Sequence, residues 1–234
     1  MLESVDIALA RLYPTRTWGE ANDAVADGPG LSEVFDFAEA ISQQLNAAAF
    51  TRAGGDDEPC DYIYILCVGR TPSIVQVRDQ GVPVPDEWLA TSPDTSIEEL
   101  YLRVVISQRV RMAAVQQVAL DVTAGAEIDL PQHSLSGSAA HSHAGGRGRG
   151  WLICERPRAG VYDAPLLARM QKLVAIMPSY DLLHIDFGEI AHHPPGFHSG
   201  VWPRLFDGEP AIANYLFYPQ PTTMTSTTFV EALP

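Results

Sequence analysis

The stretch 96-SIEELYLRVVISQRVRMAAVQQV-118 decides how the rest of the chain is assembled. Ser96 stands three residues before Glu99, a capping-box spacing in which each side chain can satisfy the other residue's backbone N–H. That spacing predicts a helix over 97–118. Its middle, LRVVIS at 102–107, is rich in β-branched side chains. These lose rotamer freedom in a helix and fit a pleated surface, so a strand is the competing reading.

On the N-terminal side, Val34, Ala38, Ile41, Leu45 and Ala48 recur at three- and four-residue spacing and predict an amphipathic helix over 32–50. Gly28-Pro29-Gly30 breaks the chain ahead of it, and Glu33 and Asp36 suit the positive end of its dipole. Residues 62–68, YIYILCV, read as a buried strand, and 73–78 as a second one joined to it in a hairpin through 69–72. On the C-terminal side, 131–150 is a Gly/Ser/His-rich tract that predicts a long, flexible, irregular loop. Strand 151–155, a helix started by Asp163 and Pro165 and running through Ile176, and strand 182–187 follow. That order suits a strand-helix-strand unit with its two strands side by side and parallel. Residues 212–218 and 227–230 are further strand candidates.

The resulting expectation is an α+β chain with a mixed sheet and packed helices. It forms one domain over 1–234, or two lobes, 1–130 and 151–234, on either side of the tract.

Charge narrows the function classes. Fifteen basic against 29 acidic residues leave a net charge of −14. Such a field repels phosphate backbones, excludes general nucleic-acid binding and attracts a basic protein partner. Lys172 is the only lysine, so any step needing a lysine amine has one candidate. Three cysteines without paired spacing argue against a disulfide framework and fit a reducing compartment. The start lacks a basic, then apolar, leader pattern, and no run of apolar residues is long enough to span a bilayer. The expected location is cytoplasmic, with no membrane partner.

The chemistry-bearing residues are clustered. The segment 181-DLLHIDFGEIAHHPPGFHSG-200 holds four of the seven histidines. On a strand over 182–187, His184 and Asp186 share a face because side chains alternate. A later histidine, His192, His193 or His198, completes a two-histidine, one-carboxylate set for one divalent metal, zinc or iron. Glu189 is then the base acting on metal-bound water.

The remaining histidines, His133, His141 and His143, lie in the glycine-serine tract. His141-Ser142-His143, with Asp163 downstream, resembles the metal-binding signature of JAMM-type isopeptidases, a His-x-His-Pro turn followed by a serine and an aspartate. That resemblance implies a metal held by His141, His143 and Asp163. The chain departs from the pattern at Ala144 (proline in the family), at Gly160 (serine in the family), and in having no identifiable upstream glutamate. The segment 182-LLHIDFGEI-190 is similar to the magnesium-binding segment of phosphatidylinositol kinases. The catalytic loop and strand lysine that such chemistry needs do not accompany it, since Lys172 falls on a predicted helix.

Two functions remain. One is a non-catalytic, acidic binding or regulatory protein, such as a toxin-neutralising or complex subunit, that docks a basic protein partner. Its motives are the charge, the lack of a complete catalytic motif, and the aromatics Trp88, Trp202 and Tyr218. The other is a metal-dependent hydrolase or oxygenase built on 184–198, or on the JAMM-like residues.

Overall fold

The computed structural model describes residues 4–53, 62–68, 74, 76, 77, 84, 96–129, 147–158, 164–198, 209–217 and 226–231. Seven strands and five α-helices are defined among them. The strands are β1 (Ala48–Ala53), β2 (Tyr62–Val68), β3 (Ser96–Ser107), β4 (Met112–Asp129), β5 (Arg147–Pro157), β6 (Leu183–Ile185) and β7 (Ser226–Glu231). The helices are α1 (Val5–Leu12), α2 (Leu31–Leu45), α3 (Ala164–Ile176), α4 (Phe187–Ile190) and α5 (Ile212–Leu216), with short 3-10 turns at Asp23–Val25 and Met177–Tyr180. Hydrogen-bonded neighbours run β1-β2-β3-β4-β5-β7, and β6 pairs with β4. The β1–β2, β2–β3 and β5–β7 pairs are antiparallel, whereas β4–β6 is parallel. The fold class is therefore α+β with a mixed sheet. No helix among the described residues is long and apolar enough to cross a membrane.

The decisive stretch 96–118 is a pair of strands, not a helix. Residues 101–107 are all buried, as are 112–115 and 117–122. A strand covered on both faces carries a continuous apolar run with no two-residue alternation, and such a run is compatible with helical spacing. The β-branched side chains at Val104, Val105 and Ile106 decide the local preference. The turn at 108–111 separates β3 from β4. The Ser96–Glu99 capping box is accordingly absent, and the Glu99 carboxylate instead accepts the Ile74 backbone N–H at 3.0 Å.

Four other expectations are corrected. Where a strand over 73–78 was expected, the described residues Ile74, Gln76 and Val77 are helical, and β2 pairs with β1 and β3 instead. The β6 strand runs parallel to β4 and not beside β5, with Ala113 opposite His184. Residues 212–216 form helix α5, in which all five side chains are buried. A short helix buried all round shows the same unbroken apolar run as an inner strand. The glycine-rich tract gives way to strand at Arg147 instead of after Gly150. Residues 131–146 of that tract, and Trp88, Trp202 and Tyr218, lie outside the described residues.

The chain groups into two compact units, 1–70 with 101–118 and 157–224, and 71–100 with 119–156 and 225–234. In the first, α2 ends where Asn46 takes the left-handed conformation (φ 47°), which asparagine tolerates better than branched residues. Ser42 Oγ donates to Ala47 O at 2.7 Å across this turn, and the chain enters β1. The buried stripe Val34, Phe37, Ala38, Ile41 and Leu45 packs α2 on β1, β2 and α3. Each large apolar side chain so buried stabilises by about 1.5–3 kcal/mol. A second apolar cluster joins α1, β3, β4, β6 and α5 through Leu9, Leu12, Tyr13, Val105, Ile185 and Phe217. In the second unit, Asp121 on β4 is buried and accepts Arg156 Nε at 2.7 Å from β5. This hydrogen bond holds the Arg156 guanidinium above its usual pKa range.

Candidate functional site

The histidine-carboxylate segment lies in the first unit and proves to be a joint between distant parts of the chain. It begins at Asp181, which takes a left-handed conformation (φ 55°) after the 3-10 turn. Leu183 N donates to Arg111 O at 2.9 Å and starts the pairing with β4. The strand is only three residues long, so Asp186 is not on it. Asp186 is the N-cap of α4, and its Oδ1 accepts the Gly188 N–H at 2.6 Å. A carboxylate there satisfies a free helix donor and meets the positive dipole end, which is a folding role. His184 and Asp186 therefore do not form the strand-borne pair that the sequence suggested.

The imidazoles are dispersed. His184 is partly buried; burial pushes its pKa below the ordinary histidine value, and the nearby Asp186 and Glu189 carboxylates oppose that shift. Its ring is thereby biased to the neutral form at neutral pH. The His192 side chain is exposed, and its carbonyl accepts the Ile212 N–H at 2.9 Å, which ties the loop to α5. His193 Nδ1 lies 2.8 Å from Pro210 O, and Nε2 lies 3.1 Å from Phe197 O and 3.4 Å from Glu209 Oε2. The ring thus lies within hydrogen-bonding distance of carbonyls on either side of the loop. His198 is exposed and contributes its backbone: it bridges Thr17, donates to Arg16 O at 2.8 Å and accepts from Trp18 N at 2.9 Å. Glu189 is exposed on α4. Among the described residues no three His, Cys, Asp or Glu side chains converge as metal ligands would. His133, His141, His143 and Asp163 lie outside the described residues.

Around this joint the buried polar contacts are tight. Tyr13 hydroxyl donates to Tyr215 O at 2.8 Å and accepts from Arg109 Nη1 at 3.1 Å. Tyr215 hydroxyl donates to His198 O at 3.3 Å, and burial, with Glu209 adding to it, pushes its pKa up to about 12. Ser107 Oγ donates to Leu216 O at 2.8 Å and accepts the Arg109 N–H at 3.1 Å. These bonds tie α5 to the N-terminal segment through Tyr13, to β3 through Ser107 and to the 191–198 loop through Tyr215.

A different surface has the features of a contact site. Helix α2 presents Leu31 and Phe35 to solvent, 55% and 56% exposed, four residues apart and hence on one face. Asp36 and Glu39 are exposed on the same helix. At its N-terminus Glu33 accepts the Gly30 N–H at 2.8 Å, the half of a capping box that a glycine cap permits. The Arg111 guanidinium on the other Glu33 oxygen, at 3.1 Å, holds that carboxyl below its usual range and is itself held above its own. The helix terminus is therefore anchored independently of Leu31 and Phe35. Sequence reasoning took the buried stripe of this helix and passed over its other face. The signal was present, because Leu31 and Phe35 are apolar residues that the stripe does not need. No family model, curated protein or solved structure matches the chain.

Proposed function

We propose that the chain is a non-catalytic, acidic binding protein that docks a basic protein partner on the solvent-facing side of α2. The observation that carries this reading is the Leu31–Phe35 pair, more than half exposed on a helix that also displays Asp36 and Glu39. An apolar centre beside acidic side chains suits an amphipathic segment that offers leucine-like anchors and lysine or arginine at its edge. The net charge of −14 adds long-range steering towards such a partner. Covering the exposed half of Phe35 removes on the order of 100 Å² of apolar surface from water, worth about 2 kcal/mol.

The test is a fluorescence-anisotropy titration with a labelled Leu/Lys amphipathic helical peptide and its Leu/Glu counterpart. Tight binding of the cationic peptide alone is expected, weakening as salt is added. Replacing Leu31 and Phe35 by serine should lower affinity about tenfold or more while the thermal transition stays in place. Equal binding of both peptides, or a double variant that binds as well as the parent, would falsify the reading.

A further inference from the structure

A concave surface of the first unit lies between α2, α3 and the 3-10 turn that follows α3. It is an open cavity of about 570 Å³ lined by Gln44, Lys172, Ala175, Ile176, Ser179 and Tyr180. That volume falls among those of small-molecule sites, about 300–1,000 Å³. Its wall combines one ammonium, one amide, two hydroxyls and an apolar patch. Tyr180 is held in place by ring contact with Phe37, centroids 5.2 Å apart. Among the described residues, Lys172 Nζ, the Gln44 amide and the Ser179 and Tyr180 hydroxyls have no hydrogen-bonding or ionic partner.

Of the residues lining the cavity, Lys172 carries the charge, and Asp181 follows Tyr180 at its edge. In a chain of net −14, the thirteen residues of α3 carry two cations, Arg169 and Lys172, and no carboxylate. Those cations are three residues apart, on neighbouring positions of one helix face. A helix C-terminus normally opposes a bound anion. Here the helical path continues through 177–180, and two of its carbonyls are engaged: Leu182 N donates to Met177 O at 3.1 Å and Asp181 N to Pro178 O at 3.2 Å. The polar groups are donors or donor-acceptors, and the buried Ile176 and half-buried Tyr180 ring, with exposed Ala175 beside them, suit a flat hydrocarbon body.

We infer that this cavity binds a small aromatic carboxylate, its anionic end on Lys172 and its ring against Tyr180 and Ile176. The inference is independent of the α2 docking face, because Leu31 and Phe35 do not line the cavity.

A single lysine makes the test specific. Lysine labelled with carbon-13 at the ε position gives one side-chain signal, that of Lys172. Untagged protein is titrated with benzoate, with benzamide as the uncharged isostere and acetate as the anion without a ring. A saturable shift with benzoate, at least threefold weaker with each of the other two, is expected. Ligand-detected saturation transfer from the protein to benzoate should fall at least threefold in Lys172→Met and measurably in Gln44→Ala. Both substitutions are on solvent-facing positions, and unchanged circular dichroism checks that the fold survives. A linear, non-saturating shift overturns the inference, as does benzamide binding as well as benzoate. Acetate matching benzoate reduces the site to simple ion pairing and overturns it equally.

Discussion

Replacing Tyr13 by phenylalanine probes the joint that ties the N-terminal segment to α5. The ring is 2% exposed and meets Tyr215 edge to face, with centroids 5.0 Å apart. Phenylalanine keeps that ring and its packing, so the substitution removes the hydroxyl alone. The bond donated to Tyr215 O at 2.8 Å and the one accepted from Arg109 Nη1 at 3.1 Å are lost. The second is inexpensive, because Arg109 also lies 3.5 Å from Asp23, and its side chain reaches solvent. The first is not. The bond from Tyr13 to Tyr215 O is buried, and stranding a buried carbonyl costs about 1–3 kcal/mol against a net gain of about 1 kcal/mol for a typical bond. Tyr13→Phe should therefore destabilise by about 1.5–3 kcal/mol, and Tyr13→Ala, which also opens a cavity, by about 3–5 kcal/mol. Urea denaturation followed by tryptophan fluorescence measures this as a lower midpoint at constant slope. In a chain of this length the phenylalanine variant should melt several degrees lower, at about 2–4 °C per kcal/mol. A phenylalanine variant within about 0.5 kcal/mol of the parent would mean that the carbonyl reaches water, and the account of a sealed joint would be wrong.

Two further outcomes follow from the same unit. Gly28→Ala should destabilise by about 1–3 kcal/mol, since overpacking against backbone cannot relax by a rotamer change. A β-carbon there falls 2.2 Å from Gln108 O and 2.9 Å from Arg109 N. Gly30→Ala is the control, with its nearest neighbour, Glu33 Oε2, at 3.7 Å, and should cost less than about 1 kcal/mol in the same denaturation series. His184→Gln should change the pH dependence of stability. Burial lowers the folded-state pKa of His184 below the unfolded value, so below that unfolded value the unfolded chain takes up a proton that the folded chain refuses. Stability from this group is complete above the unfolded value and is lost as pH falls through that window towards the folded one. The slope is at most about 1.4 kcal/mol per pH unit. Melting temperatures of parent and variant between pH 7.5 and 5 check it, and parallel curves would show that His184 does not titrate differently on folding.

How much of this architecture was legible depends on how each element is covered. The amphipathic helix α2 and the helix α3 declared themselves, because one face of α2 is buried and its apolar spacing survives in the sequence, but the helix expected over 32–50 stops at Leu45 and Ala48 opens β1. The strands β2 and β5 were legible from β-branched and aromatic content, whereas 227–230, inside β7, was only a strand candidate. The misreadings of β3 with β4 and of α5 fell where both faces are covered. There the periodic signal vanishes, and only length, turns and branching separate a helix from a strand. For 96–118 the Ser96–Glu99 spacing spoke for a helix and Val104-Val105-Ile106 for a strand. A single cap is worth about 1 kcal/mol, whereas burying several β-branched side chains in a sheet is worth several times that. The tertiary term wins, and Glu99 takes up another bond.

The histidine segment illustrates the opposite limit, in which composition is legible and convergence is not. Ligand-type residues were close in sequence, but a three-residue strand followed at once by a capped turn turns them to different tasks: Asp186 to a helix cap, His193 to a clamp across its loop, His198 to backbone bonds with Arg16 and Trp18. The difference between a ligand cluster and a joint lies in where Asp186 leaves the strand, a one-residue matter. Sequence patterns place element ends less finely than that. Glu33 makes the complementary point, since its capping contact to Gly30 and its pairing with Arg111 anchor α2 without help from the outer apolar pair. Leu31 and Phe35 are therefore not needed where they stand to hold the helix, which is why the surface reading rests on them and not on the more conspicuous histidines.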